Sequence, residues 1–290
     1  MATDPVLCNV KLINEPWDLG PNGWQTGNFP IPCADWNDHF RNSVRAFWVS
    51  EPARIAAGGI GNDMRDLATR LSGSADLFSH GIIPGGRGIY AAINFVTAHD
   101  GFTMRDLVSY NRKHNEANLE DNRDGSDNNS SWNHGEEGGA NPEIEKQRRK
   151  SVRNLLATLI CAAGTPMLTA GDEVYKTQNG NNNAYCQNSE ISYLAWDDSA
   201  AAQNMFATVS YLLRLRREHL TFRPDSFYTG EFGDDEIRDL EWFDAFGQRL
   251  ADYKWFDGEC GQFKCFARVT GKMRTSCWSL MVRLRKLNCS

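Results

Sequence analysis

Three short apolar segments of this chain end in acidic residues beside a proline or glycine. They occupy residues 10–16, 93–101 and 166–173, and their acidic residues are Glu15, Asp100, Asp172 and Glu173. A single carboxylate in such a place is more often a helix cap or a loop hydrogen-bond acceptor. Parallel strands of an α/β barrel, however, place catalytic side chains at their carboxyl ends. Taken together, the segments predict three strand ends on one catalytic rim.

The loops near these segments contain tryptophan, which is an unusual residue for a solvent-facing segment. Trp17, Trp24 and Trp132 are the three examples. An aromatic ring offers a large flat apolar face against which a sugar ring can stack. Carboxylates beside such rings indicate a site that binds or cleaves carbohydrate.

Helical and strand-like patterns alternate along the first three quarters of the chain. The clearest helix is predicted over residues 143–163, where apolar residues recur at helical spacing. Further helices are predicted over 62–71, with Asn62 as the cap, over 103–115 and over 201–219. Residues 36–50 indicate a strand or a helix start, followed by an amphipathic helix. This order predicts an α/β fold with a parallel sheet and right-handed crossovers.

The pattern changes after residue 223. Short aromatic runs at 227–230, 240–243 and 253–256 alternate with glycine and aspartate, which is typical of small antiparallel strands. We therefore predict two domains, at residues 1–222 and 223–290. The second is short for a β-sandwich, which usually needs about 100 residues.

Composition excludes several classes of partner and cofactor. The net charge of −6 argues against a nucleic-acid-binding protein, and no apolar stretch approaches the length of a membrane span. The eight cysteines include no C-x-x-C pair, so they predict neither a zinc site nor a disulfide framework. No cofactor and no metal are expected.

Two local motifs resemble ligand-binding loops and fail on inspection. The acidic loop at 120–131 would place Ser131 where a calcium-binding EF-hand needs a bidentate glutamate. The glycine-rich run at 86–91 precedes a predicted strand, whereas a dinucleotide fingerprint follows one and opens a helix. A weaker cation site or a polar loop that faces substrate remains open for the first motif.

Several long motifs resemble those of isoamylase-type glycogen and starch debranching enzymes, in the α-amylase superfamily. The stretches at 4–30, 94–118 and 164–187 are similar to the fifth-, seventh- and eighth-strand regions of that family, in the same order. The resemblance covers about residues 4–235. It implies the C-terminal half of a (β/α)8 barrel, with strands five to eight in residues 1–222. The beginning of a C-terminal β-sandwich would follow in residues 223–290.

The resemblance also implies roles for individual residues. Glu15 would be the general acid/base, and Asp100 would stabilise the transition state. The substrate-binding residues would be His99, Trp17 and Asp18. Asn14 is a departure, because the family usually has alanine there. The family's nucleophile lies on the fourth strand, upstream of every motif found here.

The expected activity is hydrolysis of α-1,6 branch linkages in glycogen or starch by a retaining glycoside hydrolase. Without the nucleophile, this chain alone is expected to be inactive. Alternatives are a non-catalytic glucan-binding or regulatory debranching subunit, and an incomplete gene model. Expected partners are a branched α-glucan and other debranching subunits in a homo- or hetero-oligomer, with neither nucleic acid nor membrane. Plastid and bacterial cytoplasm are both compatible locations.

Overall fold

Four short parallel strands form one sheet, and three of them overlap the segments that end in acidic residues. They are β1 (Ile13–Asn14), β2 (Ala34–Asn37), β3 (Ala92–Asn94) and β4 (Thr165–Pro166), hydrogen-bonded in the order β1-β2-β3-β4. The computed structural model describes residues 4–80, 86–196, 198–233, 236–244, 246–257, 263–267 and 278–280. The predicted α/β class with a parallel sheet is confirmed. The half-barrel arrangement stays a prediction.

Strand β2 is the element that sequence patterning did not place. Its polar residues Asp35 and Asn37 are fully buried, so the strand lacks the apolar run that usually identifies a buried strand. Asn37 also begins the next helix, because its side chain accepts a hydrogen bond from the Phe40 N–H (3.1 Å). Its amide group donates to Ser74 (2.9 Å) and to Asn94 of β3 (3.2 Å). One side chain therefore ends the strand, caps the helix and links two strands.

Helices occupy the β2–β3 connection, the β3–β4 connection and the segment after β4. They are α1 (Asp38–Arg45), α2 (Glu51–Ala56), α3 (Arg65–Leu71), α4 (Ala75–Phe78), α5 (Pro142–Cys161) and α6 (Ala200–Glu218). A π-helical turn, Ala46–Ser50, joins α1 to α2. The predicted helices at 143–163 and 201–219 are confirmed as α5 and α6. The helix predicted at 62–71 begins later, at Arg65, and Asn62 is not its cap.

Helix α5 forms for local reasons that are visible in the sequence. The Asn141 side chain accepts from the N–H groups of Glu143 and Ile144, and Pro142 occupies the first turn. The apolar stripe from Val152 to Ile160 is buried. Gly164 follows the helix with φ +111°, and a Cβ there would lie 2.8 Å from the Asn94 amide nitrogen. A glycine is therefore required where the chain turns into β4.

One main hydrophobic cluster joins the helices to the end of β3. Its fully buried members include Phe40, Val44, Val96, Phe102, Leu107, Leu155, Leu156 and Met205. Trp242 and Trp255, from the last part of the chain, pack against the same cluster. Within the described ranges, no helix has the length and apolar composition needed to cross a bilayer.

The helix predicted over 103–115 is wrong. Only one 3-10 turn forms there, Asp106–Val108. The buried Asp106 carboxylate accepts hydrogen bonds from Thr177 and from the Gln178 N–H (2.7 Å), so it holds a distant loop instead of facing solvent. Past this turn the N–H groups of Asn111 and Arg112 donate to Glu137. Tertiary partners have replaced the helical hydrogen bonds.

The last part of the chain contains a separate antiparallel sheet. Its strands are β5 (Leu240–Asp244), β6 (Phe263–Ala267) and β7 (Trp278–Leu280), in that order. The run at 240–243 is confirmed as a strand, whereas 253–256 is part of a 3-10 helix and 227–230 forms no strand. Cys260, Cys277 and Cys289 lie outside the described residues. The domain boundary at 222/223 stays a prediction.

Arg216 of α6 connects α6 to the end of α5 and to the turn before β4. Its buried guanidinium donates to the carbonyl groups of Ile160 and Ala162, both at 2.8 Å, and of Gly164. The Ile160 carbonyl belongs to the last turn of α5, and those of Ala162 and Gly164 follow the helix, where helical partners are no longer available. A single side chain therefore satisfies the carboxyl end of the helix.

Replacing this arginine should destabilise the protein strongly. We expect Arg216→Leu to lower the free energy of unfolding by about 3 kcal/mol, because buried carbonyl groups would lose their donors. Arg214→Leu is the matched control on the same helix, since Arg214 is exposed and its described contact is a cation–π arrangement over the face of Tyr211 (5.5 Å). Its effect should stay within about 1 kcal/mol. Urea unfolding followed by circular dichroism measures both, and equal losses would contradict this role for Arg216.

Candidate active site

The predicted catalytic residues follow the carboxyl ends of their strands. Glu15 comes directly after β1 and is exposed. His99 and Asp100 lie beyond β3 and are exposed as well. Because β1, β2 and β3 are parallel, these residues lie past the same edge of the sheet. The roles of Glu15, His99 and Asp100 stay predictions.

An aromatic cluster connects the segment after β1 to the segment after β3. The ring of Trp36, on β2, lies 6.3 Å from the Trp17 ring and 5.9 Å from the His99 ring, centroid to centroid. Phe95 contacts both tryptophans, at 6.5 Å from Trp17 and 5.4 Å from Trp36. Trp17 and His99 are thus brought together through Trp36, a residue that the sequence analysis did not single out. The sequence offers one indication of this role, namely that Trp36 is an aromatic residue in a region where a strand was possible but could not be located.

Arg41 of α1 lies over this cluster. Its guanidinium carbon is 5.4 Å from the centre of the Phe95 ring and 5.9 Å from that of Trp17. Both distances fall within the range of a cation–π contact. The cluster therefore combines flat apolar faces with a positive charge at its edge, an arrangement suited to a polar ligand with apolar ring faces.

The remaining loop residues expected at the site have other partners. Trp24 donates its indole N–H to the Asp38 carboxylate (3.0 Å) and contacts the His39 ring (5.1 Å). Trp132 stacks on His134, at 4.0 Å between ring centres. Asp18 is exposed, and one of its oxygens accepts from the Gly20 N–H (2.6 Å) within its own turn. Of the three loop tryptophans, Trp17 is the one whose ring contacts Trp36.

A buried guanidinium lies beneath the segment that carries His99 and Asp100. Arg45, at the end of α1, donates to the Val96 carbonyl (2.8 Å) and to the Asn129 carbonyl (3.2 Å). Burial lowers the pKa of Arg45 to about 9, and Arg41 acts in the same direction, while Asp100 and Asp172 oppose it. The side chain is cationic at neutral pH and attracts negative charge toward this edge.

Asp172 follows β4 but faces the interior. It is buried, and its two oxygens accept from the Thr97 hydroxyl (2.5 Å) and the Met104 N–H (3.0 Å). Burial raises the pKa of this carboxyl to about 6. Glu173 is half-buried and accepts from the Gly171 N–H (2.7 Å). The third acidic segment thus supplies a carboxylate that joins the β3 and β4 connections, not an exposed catalytic group.

A network of buried amide side chains supports the Asp100 turn from the other side. Asn115 and Asn182 exchange two hydrogen bonds, both of 2.9 Å, and Asn182 also donates to Asn129 (2.9 Å). The Asn182 carbonyl accepts from the N–H of Gly101, next to Asp100, at 2.8 Å. The polar loops at 115–129 and 181–183 therefore fix the backbone of this turn. The sequence shows many asparagines in these loops, but their number alone did not predict a role.

The acidic loop considered for calcium is organised by a lysine. The buried Lys113 ammonium donates to the Gly125 carbonyl (3.2 Å) and pairs with Asp127 (2.8 Å). Across the described residues, no group of three His, Cys, Asp or Glu side chains is arranged to hold a metal ion. The ammonium group of Lys113 therefore lies among the carbonyl and carboxylate groups of this loop.

The chain matches known proteins over most of its length. No family model matches it. It is 45% identical over 258 residues to a glycogen operon protein GlgX homolog of Mycobacterium bovis, covering 88% of this chain and 34% of that protein. It is also 45% identical over 260 residues to a glycogen debranching enzyme of Erwinia tasmaniensis, covering 89% and 36%. The chain thus spans about a third of the length of these relatives.

Two solved structures of similar fold are pullulanases. A pullulanase from Bacillus acidopullulyticus superposes with a TM-score of 0.58 and 18% identity, over 91% of this chain and 27% of that one. The apo pullulanase from Paenibacillus barengoltzii gives a TM-score of 0.52 and 22% identity, over 81% and 32%. At these identities the likeness concerns the fold.

The raised pKa of Asp172 predicts a pH-dependent stability difference. An ordinary aspartate has a pKa of 3.8, so between that value and about 6 the folded protein retains a proton that the unfolded chain has released. The free energy of unfolding of the wild type should therefore fall as pH rises through this window, by up to about 3 kcal/mol. Asp172→Asn removes the titrating group. The free energy of unfolding of this variant, relative to the wild type, should therefore rise by that amount as the pH rises through the same window.

Urea unfolding of both proteins between about pH 4 and about pH 6.5 measures the difference between their free energies of unfolding. The titration of all other groups contributes equally to both proteins and therefore cancels in this difference. A stability difference that stays constant over this range would contradict the burial of Asp172 as described.

Proposed function

This chain is a homologue of bacterial proteins named glycogen operon protein GlgX homolog and glycogen debranching enzyme, and we propose that it supplies part of the catalytic domain of an α-1,6-glucan debranching hydrolase. The substrate would be a branched α-glucan such as glycogen or amylopectin. The observation that carries this proposal is the contact of both Trp17 and His99 with Trp36. It joins the segment that bears Glu15 to the segment that bears Asp100.

Glu15 is the proposed general acid/base. It is exposed at the carboxyl end of β1, so a glycosidic oxygen can approach it without entering the protein core. In a retaining mechanism this group first protonates the departing sugar oxygen and then activates the water that releases the intermediate. Trp17 follows two residues later and would hold a sugar ring beside the acid.

Asp100 is the proposed transition-state stabiliser, and His99 would bind the same sugar. The oxocarbenium-like transition state carries positive charge on the sugar ring, so a nearby carboxylate stabilises it. The backbone of this turn is held from both sides, by Arg45 at Val96 and by Asn182 at Gly101. Such support is what a group needs if it is to be positioned before the charge develops. Asp18 would contact sugar at the edge of the same site.

The proposed fold assigns β1 to β4 to strands five to eight of a (β/α)8 barrel, within residues 1–222. Parallel pairing in sequential order and the likeness to pullulanases support this assignment. Residues 223–290 would begin a C-terminal β domain. The antiparallel β5-β6-β7 sheet lies within that range.

Retaining hydrolysis also needs a nucleophilic carboxylate about 5–5.5 Å from the acid. In the family this aspartate belongs to a strand whose motif is not among those that this chain matches. We therefore expect the 290-residue polypeptide alone to show negligible release of reducing ends from amylopectin or pullulan. Turnover by this polypeptide that Glu15→Gln abolishes would show that another carboxylate acts as nucleophile.

Activity should appear when the chain replaces the matching third of a relative. We expect a chimera with the remainder of the Erwinia tasmaniensis protein to release reducing ends from amylopectin. In that chimera Glu15→Gln should lower kcat by on the order of 10³, since general acid catalysis is lost. Glu231→Gln, at an exposed position in the last part of the chain, is the matched control and should leave kcat unchanged. An active chimera that tolerates Glu15→Gln would refute the role of Glu15.

Glucan binding can be tested on the 290-residue chain itself. We expect it to bind a hexasaccharide of two maltotriose units joined by an α-1,6 linkage, and Trp17→Ala to weaken that binding by about tenfold, because a stacking face is lost. Phe246→Ala removes an exposed aromatic ring from the last part of the chain and should have no effect. Isothermal titration calorimetry provides the measurement. Equal affinities for the wild type and Trp17→Ala would remove Trp17 from the site.

A further inference from the structure

A buried ion pair lies beneath the end of β1. The Asp35 side chain on β2 is fully buried, and its Oδ2 atom is 2.7 Å from Nη2 of Arg87, whose side chain is only 6% exposed. Arg87 also donates to the Cys33 carbonyl (3.3 Å), and its guanidinium lies 5.0 Å from the centre of the Phe78 ring. The pair is therefore held rigidly within the protein interior.

The Asp35 carboxylate accepts two further hydrogen bonds, which come from the two ends of one segment. The Asn14 side-chain amide donates to Oδ1 at 2.9 Å, and the Gly27 N–H donates to Oδ2 at 2.9 Å. Between these donors lie residues 15–26, the segment that carries Glu15 and Trp17. One buried carboxylate thus fixes both ends of the segment on which the proposed acid is located.

The geometry at Gly27 shows that its approach to Asp35 is built into the backbone. Gly27 has φ +90°, and a Cβ at this position would lie 2.6 Å from the Leu77 carbonyl oxygen. Any other residue would be strained in conformation and would collide with backbone. The loop therefore uses a glycine where its N–H reaches the buried carboxylate.

We propose that Asn14 and Asp35 are positioning residues for Glu15. This inference rests on the proposed role of Glu15 as general acid/base. Asn14 directly precedes Glu15, so a hydrogen bond from its side chain to a rigid buried charge fixes the strand end from which the Glu15 side chain projects. Alanine at position 14 would leave Oδ1 of Asp35 buried without this donor, and aspartate would place a second negative charge against it.

Local order in the segment is the first measurement, made by hydrogen–deuterium exchange with mass spectrometry on the 290-residue chain. We expect Asn14→Ala to raise the exchange of peptides within residues 12–27 by about tenfold, since a hydrogen bond to a charged group is lost. Asn14→Asp should raise it further. Asn28→Ala is the matched control, because the exposed Asn28 side chain also donates to the segment, at Gln25 (3.2 Å), but has no described contact with Asp35.

Glucan affinity is the second measurement, made with the α-1,6-linked hexasaccharide well below the melting temperature of each variant. A positioning role predicts that Asn14→Ala weakens binding by about tenfold, with Asn28→Ala unchanged. A merely structural role would lower the melting temperature and raise exchange throughout the protein, without changing the affinity of the folded molecules.

Each outcome decides the inference. Local loss of protection together with weaker binding supports it. Exchange that matches Asn28→Ala, exchange that rises uniformly, or local loosening with unchanged glucan affinity overturns it. Should the wild type fail to bind the hexasaccharide, the proposed function loses its support. The exchange comparison would still decide whether Asn14 fixes this segment.

Discussion

Buried arginines that donate to backbone carbonyl groups are the interaction on which this structure depends most. The strands of the parallel sheet are only 2–4 residues long, so much of the connecting backbone lies outside regular hydrogen-bonded elements. Buried carbonyl groups without donors are costly. Arg45, Arg148 and Arg216 supply such donors, each to the carbonyl groups of segments remote from its own helix turn.

Each of these arginines donates to the carbonyl groups of a different part of the fold. Arg216 satisfies the end of α5 and the turn into β4, whereas Arg148 is fully buried and donates to carbonyl groups of Asn133, Glu136 and Gly138 in the loop before α5. Arg45 lies nearest the candidate site and connects the segment after β3 to the long polar loop. A guanidinium group suits this role because it presents several donors in a fixed plane and keeps its charge when buried.

Two sets of hydrogen bonds support the backbone of the candidate site. One comes from the buried arginines and the other from buried asparagine side chains. Buried asparagines join the loops at 115–129 and 181–183. The Asn182 carbonyl also accepts a hydrogen bond from the Gly101 N–H, which fixes the turn after Asp100. Trp36 then connects the two sides of the site through its rings. Flat faces, exposed carboxylates and an immobile frame are the features that a sugar-cleaving site requires. The contacts of Trp17 and His99 with Trp36 are the observation on which the proposed function rests.

The sequence by itself determined the α/β class, helices α5 and α6, and the family, because these depend on local periodicity, caps and long motifs. It also identified Glu15 and Asp100 as candidates, since each ends an apolar segment, and Trp17 as a loop tryptophan, while His99 came from the family resemblance. Only the tertiary structure decided where β2 lies, because its buried positions hold Asp35 and Asn37, whose partners come from other parts of the chain. It likewise showed that residues 103–115 are not helical and that Asp172 faces inward. From sequence alone a polar side chain is predicted to be exposed. Its burial depends on hydrogen-bond partners that lie far away in the sequence and that only the tertiary structure brings close.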